Sequence, residues 1–259
     1  MAQFDYDIGI IGGGAAGLTV ASGAAQLGAK TLLIERESAL GGDCLHYGCV
    51  PSKTLIKSAH VYHAIKNASA YGLPSVDVPP VDFRNVADRI RSVVAKIQEH
   101  DSVDRFCGLG AQVEFGEARF TDGHTVDLNG SAISSKTWVI ATGSSPVVPP
   151  IEGLRETEHL TNREIFYMDK MPASMTILGG GPIGIEMAQA FSRLGSQVTV
   201  VDMAPQILGK EDKDLADAVM AVLESEGVIF HLNAMVVRVR EEGARKVVVI
   251  KAAKGVEQE

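Results

Sequence analysis

One spacing of glycines occurs twice in this chain. Gly12-Gly13-Gly14-Ala15-Ala16-Gly17 and Gly179-Gly180-Gly181-Pro182-Ile183-Gly184 both read Gly-x-Gly-x-x-Gly. Each follows a strand-length apolar run and leads into a helix-patterned stretch, a Leu-Gly pair and a second apolar run that ends in a carboxylate. Gly12 to Glu35 and Gly179 to Asp202 both span 23 positions. Strand, glycine turn, helix, strand and acid in this order make a dinucleotide-binding βαβ unit. The first glycine permits a tight turn, the second lets backbone approach a pyrophosphate, and the third lets helix and strand pack closely. The helix N-terminus supplies N–H groups and positive dipole. Glu35 and Asp202 are then placed to accept hydrogen bonds from ribose hydroxyls. Two nucleotide-binding units are implied.

Composition removes other classes. The 259 residues are 46% hydrophobic and 22% charged, as in ordinary globular proteins. The net charge of -8 offers no basic footprint for nucleic acid or for an anionic membrane. The longest apolar runs, such as Val247 to Ile250, are strand-length, far short of the roughly 20 residues that cross a bilayer. The polar, acidic start from Met1 to Asp7 lacks the basic region of a secretory signal, so the expected location is cytoplasmic. Three cysteines are too few for a disulfide framework.

Between the glycine motifs, residues 51–66 and 82–109 read as helices, the second with Asp82 as N-cap. Residues 111–120, 125–129 and 136–141 read as short strands separated by the turn signals Asp122-Gly123 and Asn129-Gly130. Pro146, Pro149 and Pro150 make a stiff crossover at a domain boundary. Beyond the second motif, residues 211–226 read as a helix, and 228–232, 236–240 and 246–252 as strands. The fold class is α/β, with two Rossmann-like units and a small antiparallel meander in each.

The stretch Gly41-Gly42-Asp43-Cys44-Leu45-His46-Tyr47-Gly48-Cys49-Val50-Pro51-Ser52-Lys53 carries a second kind of chemistry. A regular helix would separate Cys44 and Cys49 by about 7.5 Å. That is more than the roughly 4.4–6.8 Å between the Cα atoms of a disulfide. Bringing the thiols together needs an irregular turn, for which Gly48 has the freedom. A thiol at a helix N-terminus is favoured as the reactive thiolate. Two cysteines that never meet, or half of a metal site, remain open from spacing alone, although no second cysteine or histidine pair stands at ligand spacing. Cys107 is expected to pack on an apolar helix face, and His46 to face solvent from a loop.

The first glycine motif, Gly-Gly-x-Cys-x-x-x-x-Cys-x-Pro-Ser-Lys, the stretch Val139-Ile140-Ala141-Thr142-Gly143-Ser144-Ser145-Pro146 and the second glycine motif, in this order, resemble the class I pyridine nucleotide-disulfide oxidoreductases. These include dihydrolipoamide dehydrogenase, glutathione reductase and mercuric reductase. Gly180 to Met187 and Val200 to Met203 resemble the dihydrolipoamide dehydrogenases most, and Cys49 to Lys53 also suits mercuric reductases. The resemblance implies an FAD-binding domain over 1–150 with a redox dithiol, and an NAD(P)-binding domain over 151–259. In the first, Gly12, Gly14, Ala16, Gly17, Glu35, Arg36, Gly42, Asp43, Ala118, Thr142 and Gly143 would surround FAD. Cys49 would face the flavin, Cys44 would exchange with substrate, and Lys53 would lie beside the flavin's reactive nitrogen, paired with Glu186 across the domain boundary. In the second, Gly179, Gly181, Pro182, Ile183, Gly184, Glu186, Asp202 and Val236 would hold the nicotinamide nucleotide. Asp202 favours NAD over NADP, because a carboxylate accepts from a free 2′-hydroxyl and repels a 2′-phosphate.

The resemblance further implies a disulfide or mercuric ion as substrate, no resident metal, and a homodimer. His46-Tyr47 replaces the Asn-Val common between the family's cysteines. No Gly-Asp follows Asp43 and no His-Pro occurs. The expectation is therefore an amino-terminal piece that lacks the closing FAD segment and the dimerisation domain, and that by itself binds FAD weakly and turns over no disulfide. A non-catalytic nucleotide-binding remnant and a flavin transhydrogenase without a dithiol are the rival readings, and the presence of both Cys44 and Cys49 speaks against the latter.

Overall fold

The computed structural model describes residues 4–243 and 245–252, together with the backbone of 257–258. Its contacts divide the chain into two units, one running to Pro51 and resuming over Arg89–Ser145, the other comprising Ser52–Asp88 and the chain from Pro146 onward. Among the described residues no helix is long and apolar enough to cross a membrane.

In the first unit, β1 (Tyr6–Ile11), α1 (Ala15–Gln26) and β2 (Thr31–Glu35) form the expected βαβ element, with Ile8 to Ile11 of β1 in parallel register with Thr31 to Ile34 of β2. Every residue of β2 is buried. Alternate side chains serve opposite faces, as strand geometry requires: Leu33 packs with Ile10, Leu18, Ala21, Leu40 and Phe106, whereas Leu32 and Ile34 pack with Val126 and Leu128. A strand buried on both faces reads as a continuous apolar run, which is how Leu32 to Ile34 appears in the sequence.

Next along the chain are α2 (Gly42–His46), α3 (Cys49–Lys66), a 3-10 turn at Ala68–Tyr71, α4 (Phe83–Gln98) and α5 (Val103–Gly108). Helix α3 begins at the end of the first unit and continues into the second. Along α4, Phe83, Val86, Ala87, Ile90 and Val94 are buried at helical spacing. Asp82 caps its start, accepting the Arg84 N–H at 3.0 Å. The single helix expected over 82–109 is two helices. Ser102 ends the first by donating to the Glu99 carbonyl and caps the second by accepting the Arg105 N–H, the competition with helical bonding that makes serine a boundary residue. Cys107, expected in the core, is exposed.

The strand expected over 111–120 is likewise two: β3 (Ala111–Phe115), parallel to β2, and β4 (Ala118–Phe120), antiparallel to β5 (Thr125–Leu128). Asn129 and Gly130, both at positive φ, turn β5 into β6 (Ser131–Ile140). The start of β6 pairs with β5 and its remainder runs parallel to β1, giving the order β3-β2-β1-β6-β5-β4.

The second unit repeats the design with β7 (Ser174–Leu178), α6 (Pro182–Leu194), β8 (Gln197–Val201), α7 (Lys213–Ser225) and β9 (Ile229–His231), the strands parallel in the order β7-β8-β9. An antiparallel sheet follows, of β10 (Ala234–Glu242), β11 (Arg245–Ala252) and β12 (Glu257–Gln258), with a bulge in β10 between Val236 and Arg238. Arg193 at the end of α6 makes two hydrogen bonds, at 2.6 and 2.8 Å, to the carboxylate of Glu226 just after α7.

Two expected outcomes test this packing. A Cβ on Gly17 would lie 1.8 Å from the Gly12 carbonyl oxygen, whereas one on Gly23, in the same helix, meets nothing within 4 Å. Gly17→Ala should destabilise by about 1–3 kcal/mol and Gly23→Ala should stabilise by roughly 0.4–1 kcal/mol, both read from urea midpoints. Equal effects would contradict the helix–strand contact. For Glu226, burial pushes its carboxyl up, but the Arg193 hydrogen bonds and charge outweigh it and hold the group below the usual 4.5. The contribution to stability is thus complete above pH 4.5 and is lost as pH falls through the lower folded value. Glu226→Gln should be less stable than the wild type at neutral pH, with the gap closing in acid.

Candidate active site

The first glycine turn is built by three hydrogen bonds, two between backbone groups and one to a side chain. Gly12 N–H reaches the Ile34 carbonyl at 2.8 Å, Gly13 N–H reaches Glu35 Oε2 at 2.6 Å, and Gly41 N–H reaches the Gly13 carbonyl at 2.8 Å. Gly12 has φ +110°, and a Cβ there would strike the Ala141 carbonyl. Thr142 and Gly143, which follow β6, are therefore carried to the edge of this turn. Gly14 is the N-cap of α1; no side chain caps the helix and no acid stands in its first turn. The amides of a helix start are thus left for an outside acceptor. Glu35, itself buried, also accepts the Glu37 N–H at 2.8 Å through its other oxygen.

The same arrangement recurs at Asp202. Its Oδ2 accepts the Gly180 N–H at 2.5 Å and its Oδ1 the Ala204 N–H at 2.7 Å. Gly181 caps α6 with no side-chain cap, Pro182 begins the helix, and a Cβ on Gly181 would project into open space. Gly184 approaches the Gly179 carbonyl as Gly17 approaches that of Gly12. Ile183 and Met203 flank this turn with strongly exposed apolar side chains, 72% and 71%. In the sequence Met203 enters only through the resemblance of Val200 to Met203 and the lack of arginine after the acid; its exposed side chain beside the turn is a finding of the structure.

The cysteines follow from the first turn. Gly42 packs on Gly14 so closely that a Cβ on it would lie 2.6 Å from the Gly14 Cα. This contact seats α2, with Asp43 and Cys44, beside the start of α1. The helix ends at once: Tyr47 N–H closes on the Asp43 carbonyl at 2.8 Å, and Gly48 folds back until a Cβ on it would be 3.0 Å from the Asp43 carbonyl oxygen and 3.3 Å from the Cys44 Cα. That irregular turn brings Cys49 into hydrogen-bond contact with Cys44. Hydrogen bonding between the two side chains, then burial, then the neighbouring charges of Cys49 and Asp43 push the Cys44 thiol above its ordinary value, against the opposing pull of the Cys49 N–H. His46 does not face solvent from a loop. It is the last residue of α2, its Nε2 is 3.0 Å from the Leu40 carbonyl, and Gln98 of α4 donates to the same carbonyl at 3.1 Å. Beside Cys44 opens a cleft of about 450 Å³.

Lys53 and Glu186 meet, with Nζ 2.6 and 2.7 Å from the two carboxylate oxygens. By contacts both belong to the second unit, which joins Ser52–Asp88 to the chain from Pro146 onward; on the expected division at residue 150 they stand on opposite sides. Arg36 is exposed and pairs loosely with Glu37 at 3.6 Å. Ala16 stands exposed in the first turn of α1. Ala118 packs in the cluster around Leu32 and Ile34, and Val236 in that around Val201, Ala234 and Ile250; the side chains of both are occupied in packing.

A family model described as pyridine nucleotide-disulphide oxidoreductase matches residues 6–258. The chain is 34% identical over 241 residues to a mercuric reductase of Bacillus cereus, covering 93% of this chain and 38% of that protein. It is 35% identical over 246 residues to a dihydrolipoyl dehydrogenase of Acholeplasma laidlawii, covering 91% of this chain and 70% of that protein. Among solved structures, a cysteine-to-serine mutant of the HOCl-induced flavoprotein disulfide reductase RclA from Escherichia coli, in its Cu(II) complex, superimposes with a TM-score of 0.83 at 29% identity, over 99% of this chain and 55% of that one. The chain spans less than half the length of the mercuric reductases of Bacillus cereus and Lysinibacillus sphaericus.

Because Cys44 is partly buried and its thiol pushed up, while Cys49 is exposed, a brief pulse of iodoacetamide on the reduced chain should alkylate Cys49 several-fold faster than Cys44. Peptide masses report the order, and faster labelling of Cys44 would contradict the geometry.

Proposed function

Since the chain belongs to the pyridine nucleotide-disulphide oxidoreductase family, we propose that it works as an FAD-dependent oxidoreductase passing two electrons between NADH, flavin and a Cys44–Cys49 disulfide. The observation that carries this reading is the apposition of the two thiols by the turn at Gly48, which sequence spacing alone left open. Bound FAD would supply two-electron transfer between nicotinamide and dithiol. The residues present fit it: a backbone turn too close for side chains, an uncapped helix start and a buried acid at its rim.

In this reading Gly12, Gly14 and Gly17 admit the pyrophosphate, and Glu35 offers its remaining lone pairs to the ribose. Arg36, Gly42, Asp43, Ala118, Thr142 and Gly143 complete the surroundings. Cys49, the exposed thiol, is the one the flavin covers, and Cys44 exchanges with substrate. Lys53, held by Glu186, keeps positive charge near the flavin ring. In the second unit the turn from Gly179 to Gly184 and Asp202 take NADH, with Ile183 and Met203 as apolar walls and Val236 nearby. The substrate we favour is a small or protein-bound disulfide of the dihydrolipoamide kind, supported by the stretches Gly180 to Met187 and Val200 to Met203. A mercuric ion is the second reading, supported by Cys49-Val-Pro-Ser-Lys53 and by the name of the Bacillus cereus relative. The whole protein is proposed to act as a homodimer.

Titration of thiols tests the core of the proposal. The oxidised protein should expose one titratable thiol, Cys107, and two-electron reduction with a phosphine should raise the count to all three cysteines. An unchanged count on reduction would remove the dithiol from the mechanism. Saturating FAD should slow alkylation of Cys49 and leave Cys44 reactive; protection of Cys44 alone would reverse their assignment. For the nucleotide, the carboxylate of Asp202 and the lack of arginine in Met203-Ala204-Pro205 lead to tighter binding of NADH than NADPH by at least about tenfold, or roughly 1.4 kcal/mol. Equal affinities by titration would overturn that preference.

A further inference from the structure

The cleft beside Cys44 carries two opposite charges that do not neutralise each other. It is lined by Leu18 and Thr19 of α1, Cys44 itself, and Asp101, Arg105 and Phe106 from the α4–α5 segment. Asp101 and Arg105 are four residues apart, yet no ion pair joins them. The reason is local. The Ser102 cap breaks the helix between them, and the Arg105 guanidinium donates to the His100 carbonyl and lies 5.7 Å from the Phe106 ring centroid. It retains further donors on a planar fork suited to a carboxylate. The Asp101 backbone is engaged with Gln98, while its carboxylate has no hydrogen bond among the described residues.

From this we infer that the Cys44 cleft selects small disulfides that bear both a carboxylate and an ammonium group, the amino-acid type of disulfide. Arg105 receives the carboxylate and Asp101 the ammonium. The cleft volume of about 450 Å³ falls in the range of roughly 300–1,000 Å³ typical of small-molecule sites. The chain's net charge of -8 works against anions in general, so a substrate with carboxylates alone meets both that field and Asp101. One with ammonium groups alone meets Arg105. Only the zwitterion satisfies both side chains.

This inference rests on the proposed role of Cys44 as the exchanging thiol, and it departs from the dihydrolipoamide kind of substrate favoured on motif resemblance, because a lipoamide carries neither charge. The Cys44 thiolate attacks one sulfur of the disulfide, forming a Cys44–S–S–R bond, breaking the substrate's S–S bond and releasing one thiolate. Cys49 then attacks the Cys44 sulfur, forming the Cys44–Cys49 disulfide and releasing the second thiolate. The dithiol loses two electrons, the substrate gains them, and the two cysteine protons end on the two released thiols.

The test isolates the first step in a Cys49→Ser background, where the mixed disulfide at Cys44 persists and is counted by peptide mass. The probes are L-cystine, cystamine, dithiodipropionate and hydroxyethyl disulfide. Each rate is divided by that of N-acetylcysteine with the same probe, to remove differences in leaving group. The expected result is a normalised rate at least fivefold higher for L-cystine than for hydroxyethyl disulfide, with cystamine and dithiodipropionate below it. Arg105→Gln and Asp101→Asn should each lower the ratio of L-cystine to hydroxyethyl disulfide at least threefold. Equal normalised rates for the four probes, or ratios unmoved by both substitutions, would overturn the zwitterion selectivity. A preference for dithiodipropionate that Asp101→Asn leaves intact would also overturn it. Failure of Cys44 to form a mixed disulfide with any probe, while Cys107 does so, would instead strike the exchanging role on which the inference stands.

Discussion

Two backbones meet without side chains between them, at Gly13–Gly14 and Gly41–Gly42, and the chemistry of the first unit depends on that contact. The Gly41 N–H bonds the Gly13 carbonyl, and Gly42 approaches Gly14 closer than any Cβ allows. The same turn that leaves the start of α1 open to an acceptor therefore also sets the start of α2. Cys44 is the third residue of α2, so its position is inherited from the glycine turn. A side chain at Gly42 would push the cysteine helix off the nucleotide turn.

The two acids show how one physical problem is solved twice. A carboxylate at a strand end, facing a glycine turn, must be satisfied or its burial is costly. Glu35 and Asp202 each spend one oxygen on the middle glycine of the turn and the other on the N–H two residues downstream. Both acids thereby brace the turn they border, whatever nucleotide arrives. A Glu and an Asp achieve this at equal sequence spacing because the bond is made to backbone, which adjusts by small shifts.

The two cysteines differ in exposure. Cys44 is the more enclosed thiol, and its hydrogen bonding with Cys49 and its burial push it above its ordinary value; Cys49 lies outward at the start of α3. His46 and Gln98 both close on the Leu40 carbonyl, fixing the segment just before the two glycines. The pair of residues that departs from the family's usual Asn-Val thus includes a side chain that tethers the cysteine loop rather than one directed to solvent.

The duplicated glycine motifs, the acids 23 positions on and the cysteine spacing were legible in the sequence because each is a local requirement. A turn with positive φ, a close helix–strand approach and a strand-end acceptor all act within one βαβ unit. So did the buried strand β2, whose apolar run needs no partner to be recognised. Tertiary structure decided the rest. Whether Cys44 and Cys49 meet depends on how Gly48 folds back onto Asp43. The break at Ser102 was invisible to hydrophobic periodicity, since a cap competes with helical bonding by a few hydrogen bonds that periodicity does not register. The parting of β3 from β4 is set by their different partners in the sheet. Asp101 and Arg105, four apart as in an ordinary helical ion pair, form none, because the helix does not continue between them. Spacing along a chain specifies contacts only while the helix or strand continues, and where it ends the packing of distant residues takes over.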